Sequence, residues 1–252
     1  MASKPTIVIV PGAWQLPTGY TPFADLLKRS GFGSEVVDKP STGSTGNPPA
    51  GLPEDIAAVR EVVQPLVDAG KEVVLLTHSA GGVSGSGAVK GLDVKARKEA
   101  GLPGGITRVI YMTAAMVPKG SSLLELLGGK PLHWMNVQDD RITIDPETMP
   151  EIGMNDLSPE EQKKWTKEIS HTSANLFEGT SEYEPWNEGV PCAYIFTEYD
   201  GALSYELQQQ MASQLGPNAL TVTLKAGHCP FLSMPNELLA AVEKIVATRP
   251  SS

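Results

Sequence analysis

The chain has 252 residues, 40% hydrophobic and 19% charged, which suits one well-buried α/β domain with an insertion and is short for two. Its formal net charge of −9, with no basic cluster to offset it, argues against a nucleic-acid or anionic-membrane partner, and no apolar stretch approaches the roughly 20 residues that span a bilayer. Cys192 and Cys229 make neither a disulfide framework nor a metal-ligand spacing, and His78, His133, His171 and His228 lie too far apart for a local zinc motif, so the expectation is a cytoplasmic protein without metal or cofactor.

The N-terminus reaches a strand-like run by Thr6 with no basic region and apolar core of a signal peptide before it. Thr6 to Val10 reads as a buried strand, followed by the loop Pro11-Gly12-Ala13-Trp14. A helix is expected from Pro22 to Ser30, with Phe23, Leu26 and Leu27 on one face and Gly31 as its stop. Gly33 to Val37 reads as a short second strand, and Pro40 to Pro53 as a Ser/Thr/Gly/Pro loop. Ile56, Val59, Val62, Val63 and Leu66 space as one helix face, which Pro65 should kink or shorten. A strand at Val73 to Leu76, a small-residue helix at Val83 to Leu92, a polar Lys/Arg segment and a strand at Val109 to Thr113 follow. The alternation predicts a parallel sheet with helices on both faces.

That pattern breaks at Pro118. From there to Gly189 the chain is rich in Trp, Met, Pro and acidic residues, shows little strand character, and holds a helix started by Ser158, Pro159 and Glu161. Sheet signals resume at Cys192 to Thr197, followed by a helix from Tyr205 to Leu215 and a strand from Leu220 to Lys225. In the last helix Leu238, Leu239, Val242, Ile245 and Val246 share a face. The expected organisation is therefore a core of residues 1–117 and 190–252 with a mainly helical cap, 118–189, inserted before the strand at 192–197. An insertion there is placed to roof a site at the strand ends.

The chemistry centres on Thr77-His78-Ser79-Ala80-Gly81. A serine held on a sharp strand-to-helix turn projects its hydroxyl past the strand end, and the consensus for that elbow is G-x-S-x-G, with threonine here in place of the first glycine. A serine hydroxyl is a weak nucleophile until an oriented base takes its proton. His228, on the loop between the last strand and the last helix, is at the right sheet edge, whereas His78 should point away from the serine into packing. His133 and His171 lie in the insertion, where solvated surface is the plainer expectation. The orienting acid should fall between serine and histidine, at Asp200 or, still nearer its strand, at Glu198. Backbone donors for a developing oxyanion would come from Ala80 and Ala13.

Pro11-Gly12-Ala13-Trp14, Thr77-His78-Ser79-Ala80-Gly81-Gly82, Tyr199-Asp200 and the stretch Gly227-His228-Cys229-Pro230-Phe231-Leu232-Ser233-Met234-Pro235 together resemble the α/β-hydrolase fold. Within it they resemble the small-esterase branch that includes plant methyl-ester hydrolases, hydroxynitrile lyases and related bacterial and fungal hydrolases. The resemblance spans essentially the whole chain, and its late Gly-His-x-Pro-Phe-x-Ser-x-Pro stretch is the most specific part. It implies Ser79 as nucleophile, His228 as base, Asp200 as acid, Ala13 and Ala80 as oxyanion donors and residues 118–189 as a cap. It also implies some repacking around Thr77 and, because many relatives carry a bulkier residue at Ala80, a wider pocket beside the serine.

The lyases of that branch have a threonine in the first-strand loop and a lysine after the histidine, where this chain has Gly12 and Cys229. The expectation is accordingly hydrolysis of a small-to-medium apolar or aromatic ester through an acyl-enzyme, with a lactone or thioester open to the same machinery. Trp14, Met116, Trp134, Trp165 and Trp186 are the expected substrate-pocket residues. The alternatives are a lyase or carbon–carbon bond hydrolase on the same residues, or a small-ligand receptor of the same fold. The partner expected is a small-molecule substrate, with a homodimer left open and no nucleic acid or membrane.

Overall fold

Runs of β-branched and leucine residues form strands here because every residue of the run can be buried on both faces of a sheet, as in Thr6–Val10, which is buried throughout. In a computed structural model describing residues 4–248, the chain begins with β1 (Thr6–Val10), α1 (Thr21–Arg29), β2 (Gly33–Val36), α2 (Leu52–Asp68) and β3 (Glu72–His78). There follow α3 (Gly81–Val89), α4 (Val94–Glu99) and β4 (Gly105–Met112). The insertion contributes α5 (Leu123–Leu126), β5 (Met135–Gln138), β6 (Arg141–Ile144), α6 (Met149–Gly153), α7 (Pro159–Thr166), β7 (Thr172–Ser173) and α8 (Ala174–Glu178). The chain then returns as β8 (Cys192–Thr197), α9 (Tyr205–Ala212), β9 (Leu220–Leu224), α10 (Pro230–Ser233) and α11 (Pro235–Ala247).

The main sheet has the order β2-β1-β3-β4-β8-β9, and every neighbouring pair is parallel. Side chains alternate across it, so two cores result. Val8, Val10, Val73, Leu75, Val109, Tyr111, Tyr194 and Phe196 face α2, α3 and the insertion. Ile7, Ile9, Val74, Leu76, Ile110, Met112, Ala193 and Ile195 face α1 and α11, which supply Phe23, Leu27, Leu238, Val242 and Ile245. Because β2 and β3 lie on opposite sides of β1, the loops leaving β1 and β3 diverge. Such a switch point opens a crevice at the carboxyl ends of the strands.

Three local features refine these expectations. The insertion holds more helix than strand, as expected, but it also carries strands: β5 and β6 form an antiparallel hairpin, turned at Asp139 (φ 51°), and β7 adds a third strand. The Arg141-Ile142-Thr143-Ile144 alternation puts Ile142 and Ile144 inward, but four residues of it do not stand out among polar neighbours. Pro65 shortens α2 little, since the helix continues to Asp68. The ring lies on the exposed face, where water can take the bond that the Glu61 carbonyl loses. The Lys/Arg segment is itself a helix, α4, capped by the Asp93 side chain accepting from Ala96 N–H.

The insertion is anchored to the core through the loop after β2. There Asp55 accepts from Lys39 Nζ at 3.1 Å, Ser41 N at 2.9 Å and Ser41 Oγ at 2.8 Å, with both side chains of the Lys39–Asp55 pair fully buried. Ser41 O in turn accepts from Ser173 N, and Gly43 N donates to His171 O. His171 Nε2 lies 2.9 Å from Ser44 O, so this histidine holds backbone rather than facing solvent, while His133 is exposed. Among the described residues no helix is long and apolar enough to cross a membrane.

Candidate active site

Ser79 sits where β3 gives way to α3 with φ at 52°, a left-handed conformation unusual for a residue with a side chain. The turn is this tight because the next residues lack bulk. A Cβ on Gly81 would overlap the Val10 and Pro11 carbonyl oxygens. Thr77, standing where the consensus has glycine, is accommodated from the helix side: Gly85 has no Cβ, and one placed there would overlap Thr77 Cγ2. Thr77 Oγ1 donates to Ile110 O at 3.2 Å, so its hydroxyl is satisfied within the sheet. The repacking implied by this threonine is thus a glycine two turns further on.

His228 lies on the loop leaving β9, where its Nδ1 is 2.8 Å from Asp200 Oδ2. Asp200 follows β8 and is saturated with donors. Its Oδ2 also accepts from Thr113 Oγ1 and from Thr197 Oγ1 at 2.9 Å, and its Oδ1 accepts from the Ala202 and Leu203 N–H groups, both at 2.8 Å. Burial alone would raise the carboxyl pKa. The charge and hydrogen bond of His228, with those of Thr113 and Leu203, overcome it and hold Asp200 below the usual carboxylate value. Glu198 is exposed and makes no contact with His228 among the described hydrogen bonds.

Ser79 and His228 line one apolar cavity at the carboxyl end of the sheet. Ala13 and Ala80 line it as well, and among the described residues neither of their main-chain N–H groups donates to the protein. The roof is built by the insertion, from Leu123, Leu127, Leu132, Trp134, Met135, Ile144, Met149, Ile152 and Phe177. The wall carries no charged side chain apart from His228 when protonated, and Gln15 is its other polar member beside Ser79. Of the pocket residues expected from sequence, Trp14 and Trp134 are in this wall, packed edge to face with centroids 5.6 Å apart. The others are elsewhere. Met116 is fully buried in the core, Trp186 packs against Tyr111, and Trp165 lines a separate cleft with Leu16 and Phe231. Cap tryptophans serve packing as readily as substrate, and only the hairpin's placement decides which.

Three loops of the site, those after β1, β8 and β9, are tied to the insertion. Trp14 Nε1 donates to Ile142 O, and Ser170 N donates to Trp14 O. Asn155 Nδ2 donates to Tyr199 O at 2.7 Å, beside Asp200, and Gly227 N donates to Asp156 Oδ2 at 2.7 Å, beside His228. Sequence reasoning missed Asn155 and Asp156, since nothing local marks which polar residue of an insertion turns back to the core.

The two thiols contrast with this site. Burial pushes Cys229 up to about 12, against a lowering by the Gln15 hydrogen bond, and Cys192 to about 12, against a lowering by Arg108. Both stay protonated at neutral pH and are poor nucleophiles. The native protein should therefore resist iodoacetamide at pH 8 and take up two equivalents once denatured, as read by intact mass. Rapid alkylation of the native protein would show that one thiol is activated.

A family model described as the alpha/beta hydrolase family matches residues 7–242. The chain is 30% identical over 246 residues to a probable hydrolase, R7, of Phoma sp., covering 94% of this chain and 96% of that protein. Among solved structures, a pyrethroid hydrolase from Sphingobium faniae JZ-2 superposes with a TM-score of 0.76 at 22% identity, over 96% of this chain and 97% of that one. A methylesterase protein, MES16, from Arabidopsis does so with a TM-score of 0.75 at 22% identity, over 96% and 98%.

Proposed function

The chain belongs to the alpha/beta hydrolase family, and from that footing we propose that it is a serine hydrolase cleaving neutral esters with an apolar or aromatic acyl part. The observation that carries this reading is the 2.8 Å His228–Asp200 contact beside an apolar cavity that His228 and Ser79 both line. In the proposed reaction Ser79 Oγ attacks the ester carbonyl as His228 Nε2 takes its proton. The carbonyl oxygen, now an oxyanion, accepts from the Ala13 and Ala80 N–H groups. Collapse breaks the bond to the alcohol, which leaves with the proton from His228, and Ser79 remains acylated. Water, deprotonated by His228, then adds to the acyl carbon and releases the acid, returning the proton to Ser79.

The wall of the cavity supports a neutral substrate, because it offers no cation to pair with a charged acyl group and desolvating an unpaired charge is costly. The name of the Arabidopsis neighbour, methylesterase, agrees with an ester as the reacting group. A fluorophosphonate tests the reading directly. Intact mass should show one adduct, peptide mapping should place it on Ser79, and His228→Ala should lack it. A folded protein that takes no adduct would refute the serine mechanism.

A further inference from the structure

Beneath the candidate site lies a chain of buried hydrogen bonds that no step of the proposed reaction uses. Gly12 N is 3.1 Å from Tyr20 Oη, Tyr20 Oη is 2.7 Å from His78 Nδ1, and His78 Nε2 is 2.8 Å from the main-chain oxygen of His228. Tyr20 and His78 are both completely buried. We propose that Tyr20 and His78 are positioning residues: their relay fixes the Gly12–Ala13 loop and the His228 loop relative to Ser79, and so sets how well the oxyanion donor and the base meet the serine. This inference rests on the serine-hydrolase reading above.

The polarity of the relay follows from its ends. A carbonyl can only accept, so His78 carries its proton on Nε2 and donates to His228 O. In a neutral ring Nδ1 is then an acceptor, so Tyr20 donates to it, and the Tyr20 oxygen accepts from Gly12 N–H. The ring is neutral because burial, and then the neighbouring His228, hold its pKa well below the usual histidine value. The His78 and His228 rings lie with centroids 4.6 Å apart, so a charge on His78 would oppose the imidazolium that the reaction forms on His228.

The loops have little freedom apart from this relay. A Cβ on Gly12 would sit 2.9 Å from Ser79 Cβ and 3.0 Å from His78 Nδ1, so Gly12 lies directly on the nucleophile turn. Its N–H is one residue before that of Ala13, and fixing the first peptide aims the second. Phe231 stacks on Tyr20 with centroids 4.1 Å apart and meets His78 edge-on, closing the relay to water. A misplacement of an ångström at reacting groups can cost on the order of 100-fold in rate.

Tyr20→Phe removes one hydroxyl and keeps the ring on Phe231. On a p-nitrophenyl ester, kcat should fall roughly 10- to 100-fold with KM within about twofold of wild type, in a protein still folded by circular dichroism. His78→Gln keeps a donor for His228 O but breaks the link to Tyr20. The double variant should lose little more than the worse single one, because both cut the same relay. A Tyr20→Phe protein with wild-type kcat and only a lowered Tm would overturn the positioning role and leave a structural one. Losses that multiply in the double variant would overturn the relay. If His78→Gln does not fold, the Tyr20→Phe kcat decides alone. A wild-type protein inert to esters and to fluorophosphonate would instead remove the hydrolase reading itself, and the positioning role with it, an outcome distinct from an active wild type and an equally active variant.

Discussion

Ser79→Ala is expected to lower kcat/KM toward a p-nitrophenyl ester by about 10⁴-fold or more, leaving only the rate that binding and the oxyanion donors supply. The effect is this large because attack by the serine oxygen has no substitute nearby. Neither thiol lines the cavity and both are held protonated, and Gln15 is the other polar wall residue besides His228. Stability should change by less than about 0.5 kcal/mol, since among the described residues the Ser79 hydroxyl makes no hydrogen bond to protein and alanine keeps the same Cβ on the turn. Activity and thermal unfolding together make the test decisive. A variant that unfolds with wild-type Tm yet keeps a tenth of the activity would require a different nucleophile.

The second large effect is expected at Asp200. With asparagine there, an amide NH2 turned toward His228 donates to Nδ1 and drives the ring's proton to Nε2, where the ring cannot act as a base, while an amide oxygen turned toward it accepts from Nδ1 without the charge that steadies an imidazolium. A loss of about 10³- to 10⁴-fold in kcat is expected, against less than twofold for Glu198→Gln, whose side chain is exposed. Equal small losses in both variants would remove Asp200 from the mechanism. Stability gives an independent reading. The native pKa of Asp200 lies below its ordinary value near 3.8, so its stabilising contribution is fully present above that value and is lost as pH falls through the lower, native one. Asp200→Asn should lower Tm at pH 7 and lose this part of the acid-induced decrease, which thermal unfolding between pH 7 and pH 3 would show. The loss at pH 7 is compounded because an amide nitrogen must now either face the Ala202 and Leu203 N–H groups, which can only donate, or make the Thr113 and Thr197 hydroxyls turn round to accept.

How much of this was legible beforehand depends on whether the signal was local. The strand at Cys192–Thr197 was readable to the residue, because a buried parallel strand must be apolar on both faces. The group Ser79, His228 and Asp200 was readable for a related reason: parallel strands deliver their following loops to one sheet edge, so residues far apart in sequence can be placed together from topology alone. Which of Asp200 and Glu198 lies against His228 was not, since it turns on where the chain goes after Thr197; in the fold Asp200 gathers five donors, His228 among them, while Glu198 is exposed. In the insertion, Ser158 and Pro159 marked a helix correctly, whereas the hairpin of β5 and β6 is too short and polar to outweigh its neighbours. Trp165 and Trp186 failed as pocket residues because which way an insertion folds back is set by tertiary contacts. Tyr20 carried no signal at all; a tyrosine at the end of a short 3-10 turn looks like surface until its partner His78 is seen beneath the sheet edge.

The contacts that Asn155 and Asp156 make with the loops bearing Asp200 and His228 bear on how such a protein can diversify. Its roof is not an interchangeable module. A chimera that received residues 118–189 from a relative would exchange the roof of the cavity and, in the same step, the tethers that hold the loops of Asp200 and His228. Unless the graft restored an amide and a carboxylate at those two places, a change of substrate preference would arrive together with a slower reaction. On the proposed serine mechanism, selectivity and turnover would therefore be inherited as one trait, and a screen that replaces the roof should select on both together.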